Sequence, residues 1–281
     1  MHPLPSPGAR LLALTCATLL SACGHDTPAT PTPTLPAALL ETHGGWPHYG
    51  GDAGGTRFSA RQQITPANVD QLEIAWTYNS GDLAPETFPD SFNSPAMQVT
   101  PILAQDTLYL CSPRNRIIAL DPATGAERWH YAADPELRGL YSVTCRGVAY
   151  HADTDADPGQ ACAARVVAGT LDGRLLALDA GTGKPCEEFG DGGEVDLKAA
   201  LGDVGPAEYA MTSPPLLVND RIVTGAHVAD LRRGGVPSGV IRAFDVRTGA
   251  LLWDWEAVLP EKRLADAYTP GSPNAWAPLS A

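Results

Sequence analysis

An all-β fold of the β-propeller type is what this sequence predicts, and three observations point to it. One register recurs three times: Ile118-Ala119-Leu120-Asp121 with Thr124-Gly125 and Trp129, Leu176-Ala177-Leu178-Asp179 with Thr182-Gly183, and Arg242-Ala243-Phe244-Asp245 with Thr248-Gly249 and Trp253. From Asp121 to Asp179 is 58 residues and from Asp179 to Asp245 is 66, long enough for a four-stranded blade plus an insertion and too irregular for a solenoid. The chain also holds 28 Gly and 26 Pro with no long segment of 3.6-residue periodicity, as expected where many short strands are joined by tight turns. A strand-turn-strand unit cannot bury its apolar face alone, so the copies must stack on one another.

The elements follow in order. Arg10 precedes the apolar run Leu11 to Leu20, too short to span a bilayer but suited to a signal peptide. Leu20-Ser21-Ala22-Cys23 then resembles a lipoprotein signal, so residues 1–22 are expected to be removed and Cys23 to be lipidated. The Thr/Pro-rich stretch within residues 23–43 reads as a stiff tether, and the folded domain as residues 44–281. In that domain, residues 64–72 read as a short helical turn with Thr65 capping and Pro66 in first position. Strands are expected over 74–78, 107–111, 116–120, 165–168, 174–178, 221–224 and 240–244, each bounded by turn residues. In every repeat the aspartate bonds local backbone N–H groups, glycine takes a positive φ, and the tryptophan that follows in two copies wedges between blades.

Charge and cysteines narrow the function. A net charge of -13 with no basic stripe removes the electrostatic attraction on which nucleic-acid binding depends. An exported chain keeps four cysteines after lipidation, Cys111, Cys145, Cys162 and Cys186, and an even count in an oxidising compartment predicts two disulfides. Three pairings are open. No C-x-x-C spacing supports a metal site built on these thiols.

The repeat, read as [IL]-x-A-[LF]-D-x-x-T-G-x-x-x-W, resembles the tryptophan-docking motif of the pyrroloquinoline quinone (PQQ) dehydrogenases, which are eight-bladed propellers. Val143-Thr144-Cys145-Arg146-Gly147-Val148-Ala149-Tyr150-His151 resembles their glucose-dehydrogenase branch, as do Trp46-x-x-Tyr49-Gly50, Thr212-Ser213-Pro214-Pro215 and Pro237 to Arg242. The resemblance runs from about Gly44 to the end of the chain and implies the first half or so of such a propeller. Alcohol-oxidising relatives carry two adjacent cysteines before the Arg-Gly, whereas Cys145 stands alone here, which favours a sugar substrate.

That resemblance implies PQQ and Ca²⁺ (or Mg²⁺) as cofactors, with a site needing cations for carboxylates, an aromatic face for the ring and a hard oxygen ligand for the metal. Arg146 would grip a quinone carboxylate through its planar fork. Trp276 would form the floor under the ring, Thr212 would donate its hydroxyl, and His151 would line the quinone and sugar pocket. Asp230 would ligate the metal, although Leu231 stands where relatives have asparagine. Gln98 occupies a position where a glutamate would be expected. The implied reaction takes an aldose, glucose to gluconolactone, in the periplasm, and passes electrons to a respiratory quinone or another acceptor. The lipid anchor implies a membrane surface, the outer membrane rather than the inner. The catalytic base is expected beyond Ala281, which leaves this chain inactive alone. Two other readings fit parts of the sequence: an outer-membrane assembly scaffold with the same repeats, and a PQQ alcohol dehydrogenase.

Overall fold

A computed structural model describes residues 45–82, 95–157, 159–229, 236–258 and 273–281. The signal, Cys23 and the tether lie outside these residues. Three antiparallel four-stranded sheets follow one another along the chain. The first blade comprises β1 (Ile102–Ala104), β2 (Thr107–Cys111), β3 (Arg116–Leu120) and β4 (Glu127–Ala132). The second comprises β5 (Ala149–Ala152), β6 (Ala164–Gly169), β7 (Arg174–Asp179) and β8 (Glu194–Asp196). After β9 (Tyr209–Ala210) come β10 (Leu216–Val218), β11 (Arg221–Thr224), β12 (His227–Val228), β13 (Ile241–Asp245) and β14 (Leu251–Trp255). The third blade orders as β10-β11-β13-β14, while β9 and β12 pair apart from it. Among the described residues no helix is long and apolar enough to cross a membrane.

The repeat sits at the same corner in each blade, where the third strand turns into the fourth. Asp121 Oδ1 accepts bonds from Ala123 N, Thr124 N and Thr124 Oγ1 at 3.1, 3.0 and 2.9 Å. Asp179 and Asp245 repeat the pattern on Thr182 and Thr248. Gly125, Gly183 and Gly249 have φ of 70°, 72° and 70°, a backbone conformation that side chains other than glycine adopt at a cost.

These corners are where blades join. A Cβ on Gly125 would lie 2.5 Å from the Trp76 ring, and one on Gly183 would lie 2.5 Å from the Trp129 ring. Each indole therefore rests flat on the glycine of the next blade, and its Nε1 donates across the joint: Trp76 to Pro122 O at 3.1 Å, Trp129 to Ala180 O at 3.0 Å. The second blade has no tryptophan at this position. Val195 and Phe189 fill the space over Gly249 instead, and Gly190 N donates to Thr248 O. Trp253 is 42% exposed, its indole covered by no following turn among the described residues.

Two expectations change. Residues 74–78 are extended but form no ladder, because no described strand lies beside them; Trp76 and the Tyr78 hydroxyl, bonded to Glu127, hold the segment to the first blade instead. The helical turn shortens to a 3₁₀ turn, Val69–Gln71, and its capping is reversed: the Asn68 side-chain oxygen accepts from Thr65 N at 2.7 Å, while Thr65 contributes its carbonyl. The cysteines pair as Cys111–Cys145 and Cys162–Cys186.

The joint predicts an asymmetry between neighbouring glycines. Gly183→Ala must both strain a left-handed turn and displace Trp129, and is expected to destabilise by about 3 kcal/mol in urea unfolding. Gly181→Ala, where the nearest group is 3.5 Å away and no positive φ is needed, is expected to fall within about 0.5 kcal/mol of wild type.

Candidate cofactor site at the propeller hub

Arg146 lies in the irregular segment between β4 and β5, so its position depends on neighbours rather than on a ladder. Its amide donates to Thr212 O at 3.0 Å, and its carbonyl accepts from Thr100 N at 2.9 Å. The side chain donates through Nη1 to Thr212 O at 3.3 Å, and the guanidinium carbon lies 5.1 Å from the centre of the Trp276 ring. Arg146, Thr212 and Trp276, 130 positions apart in sequence at the extremes, thus meet at one place.

Trp276 is delivered there by the segment 273–281. Ser213 Oγ donates to Trp276 O at 2.6 Å, and Ala281 N donates to Ala53 O at 3.0 Å, so the segment runs from the third blade to the opening turns of the domain. Two glycines make room for it. A Cβ on Gly225 would lie 2.2 Å from Ala275 O, and one on Gly239 would lie 2.1 Å from Pro273 O. A cavity of about 140 Å³, lined by residues including Tyr49, Val148, Pro214 and Leu279, adjoins the site where Gly147 packs against Tyr49 and Pro214.

The electrostatics leave this site unbalanced. Burial pushes the half-buried Arg146 guanidinium below its ordinary pKa, and no described carboxylate lies within ion-pair reach of it. Thr212 Oγ1 is buried without a hydrogen-bond partner among the described residues. Trp276 keeps 45% of its surface open. An uncompensated cation, a spare hydroxyl and an open indole face together suit a flat anion. That donor set fits a tricarboxylated aromatic ring.

His151 stands apart from this arrangement. It lies near the far end of β5, five residues beyond Arg146, and its Nε2 bonds to Asp220 Oδ1 at 3.0 Å. The imidazole belongs to a clasp between the second and third blades in which Arg247 bridges Asp153, Asp155 and Asp220. Arg165 reinforces it by donating to Val246 O and Arg247 O, each at 3.0 Å. Sequence reading missed this clasp; three basic and three acidic residues spread over blades carry no spacing signal. Asp230 lies outside the described residues, and Gln98 is exposed. The one ligand-type cluster among the described residues, Cys162, Cys186 and Glu188, has both sulfurs in a disulfide and offers no thiolate.

Residues 46–281 match the family model "PQQ: Glucose/ethanol/alcohol dehydrogenase, beta-propeller domain", and the chain belongs to that family. It is 42% identical over 246 residues to the quinoprotein glucose dehydrogenase of Escherichia coli (strain K12), covering 84% of this chain and 30% of that protein. It is 40% identical over 242 residues to the glycerol dehydrogenase large subunit of Gluconobacter oxydans (strain 621H), covering 84% of this chain and 32% of that one. Among solved structures, a europium-containing methanol dehydrogenase superposes with a TM-score of 0.61 at 25% identity, over 80% of this chain and 34% of that one. The quinohemoprotein alcohol dehydrogenase of Comamonas testosteroni gives a TM-score of 0.56 at 28% identity, over 76% and 27%. The chain thus spans about a third of the length of these relatives and is part of a propeller of this class.

The clasp has a pH signature. Arg247 holds the Asp153 carboxyl well below the usual carboxylate range, and His151 and then Arg247 lower that of Asp220. Because both folded values are depressed, the stabilisation is present above the unfolded value near pH 4 and disappears as pH falls through the folded values. Arg247→Met is expected to lower the thermal midpoint by about 2–4 °C at pH 7, and the gap should narrow progressively below pH 4.

Proposed function

We propose that the intact protein is a PQQ-dependent dehydrogenase that oxidises an aldose at its anomeric hydroxyl, with Arg146, Thr212 and Trp276 holding the quinone. The observation that carries this reading is the Arg146 guanidinium, without a carboxylate partner among the described residues, beside the open Trp276 face. Arg146 would donate to a carboxylate of the ring, and the Thr212 hydroxyl would donate to another. Trp276 would support the ring and keep water from one face of it. The quinone supplies the hydride-accepting carbonyl when bound, polarised by a divalent cation. Asp230 is the proposed carboxylate ligand for that cation, Ca²⁺ or Mg²⁺, because a hard oxygen donor suits either ion.

The sugar assignment is supported by Cys145, whose sulfur is committed to Cys111 across the blade joint rather than to an adjacent cysteine. Relatives named for glucose, glycerol, quinate and alcohol dehydrogenases all lie within the family, so these four substrates are the ones to compare. The acceptor is proposed to be a respiratory quinone, reached from the periplasm by a protein anchored through Cys23. Two disulfides support export, since such pairs persist in oxidising compartments.

Titration of the intact protein with PQQ and Ca²⁺, followed by absorbance, tests the cofactor reading. Arg146→Ala should weaken binding by about 2 kcal/mol, roughly thirtyfold, and unchanged binding would remove Arg146 from the site. With dye reduction as readout, glucose is expected to give a higher kcat/KM than glycerol, quinate or ethanol; activity confined to any of the other three would refute the aldose assignment.

A further inference from the structure

We propose that the Cys111–Cys145 disulfide is a positioning device for Arg146, fixing the one part of the cofactor site that no β-ladder holds. This inference rests on the cofactor reading for its functional consequence, but its structural part stands on the geometry of the hub.

Arg146 follows Cys145 directly and precedes Gly147. The segment from the end of β4 at Ala132 to the start of β5 at Ala149 contains no strand, so its residues lack the paired hydrogen bonds that immobilise a sheet. On one side Gly147 contributes no side chain to anchor the segment and is held by the groups packed against it, Thr100 O, Tyr49 and Pro214. On the other side Cys145 is tied covalently to Cys111, the last residue of β2 in the first blade. The bond closes 34 residues of separation and sits in the core shared by Ile102, Tyr109, Ile117 and Val148, with Cys111 0% and Cys145 3% exposed. Solvent reductants therefore do not reach it in the folded protein, which suits a fixed staple.

The Arg146 backbone is then held from three directions. Its neighbour's sulfur is bonded to the first blade, its carbonyl accepts from Thr100 in the segment leading into that blade, and its amide donates to Thr212 leading into the third. Thr144 Oγ1 donates to Ala96 O at 3.0 Å and Ala96 N to Val143 O, closing the same segment onto residues 95–100. Removing the covalent tie leaves hydrogen bonds, each worth about 1 kcal/mol, and the packing of Val143 and Val148 to hold a segment that no ladder fixes. A guanidinium displaced by an ångström would no longer present its fork beside the Trp276 ring at the geometry a bidentate contact needs.

Cys162–Cys186 supplies the control. It ties the β5–β6 connection to the stretch after β7 within the second blade, in the core around Phe189, and touches none of Arg146, Thr212 or Trp276. Both disulfides should contribute to stability by constraining the unfolded chain. Only one should affect the hub.

The test compares Cys111→Ser/Cys145→Ser with Cys162→Ser/Cys186→Ser in the intact protein, each under conditions where it stays folded by circular dichroism. The first readout is amide hydrogen exchange without cofactor. The first variant should speed exchange at least tenfold at residues 96–100, 143–148 and 210–213, and the second should leave those segments as in wild type. The second readout is the PQQ dissociation constant in Ca²⁺, expected to rise at least tenfold in the first variant and less than twofold in the second. Equal exchange at the hub in wild type and Cys111→Ser/Cys145→Ser overturns the proposal. Equal effects of the two variants on exchange overturn it also, by making the bond a general staple. Absence of PQQ binding by wild type, with exchange changed as expected, defeats the cofactor reading while the positioning role stands.

Discussion

The indole that one blade lays on a glycine of the next is the contact from which the architecture follows. Trp76 on Gly125 and Trp129 on Gly183 need three things at once: a turn tight enough to present bare backbone, a left-handed residue without a Cβ, and a carbonyl to receive the indole N–H. The aspartate and threonine of each repeat supply the first by folding the turn on itself. The joint stacks sheets at a fixed angle, and stacked sheets bring the leading ends of β1, β5 and β10 to one hub. Because Arg146 precedes β5 and Thr212 precedes β10, the position of the cofactor groups is a consequence of how the blades dock.

The third joint shows how much latitude the contact has. Val195 and Phe189 cover Gly249 where no tryptophan is available, and the loss of the indole N–H bond is offset by Gly190 N donating to Thr248 O and by the Arg247 clasp. The glycine is common to all three joints while the group resting on it varies. The turn is therefore the constant of the fold, and the wedge is interchangeable within limits of volume and shape.

Local chemistry made much of this legible in the sequence. The Asp-x-x-Thr-Gly corners appear where they were expected, because the bonds that each aspartate Oδ1 accepts come from residues within three positions of it. Strands β2, β3 and β11 have the bounds expected of them, since short apolar runs and flanking turns define them without help from afar. Other features depended on the third dimension. Which cysteines pair depends on contacts between segments 34 and 24 positions apart; Trp46 joins β1 through backbone bonds to Leu103 that no spacing announces. Arg146, Thr212 and Trp276 were nameable from resemblance, and their convergence follows only when the segment 273–281 is laid across Gly225 and Gly239. His151 was expected beside them on the strength of its string. In the structure its Nε2 bonds to Asp220, a partner that lies 69 positions away and that the string does not announce.

The account stands on the claim that an uncompensated guanidinium and an open indole at the hub are a receptor for a flat, carboxylated redox ring. A crystal structure of the intact protein grown with PQQ and Ca²⁺ tests it most directly. The ring is expected against Trp276, with one carboxylate on Arg146 and another on the Thr212 hydroxyl. A ring bound elsewhere, or Arg146 paired to a carboxylate of the protein itself with no ring present, would contradict it.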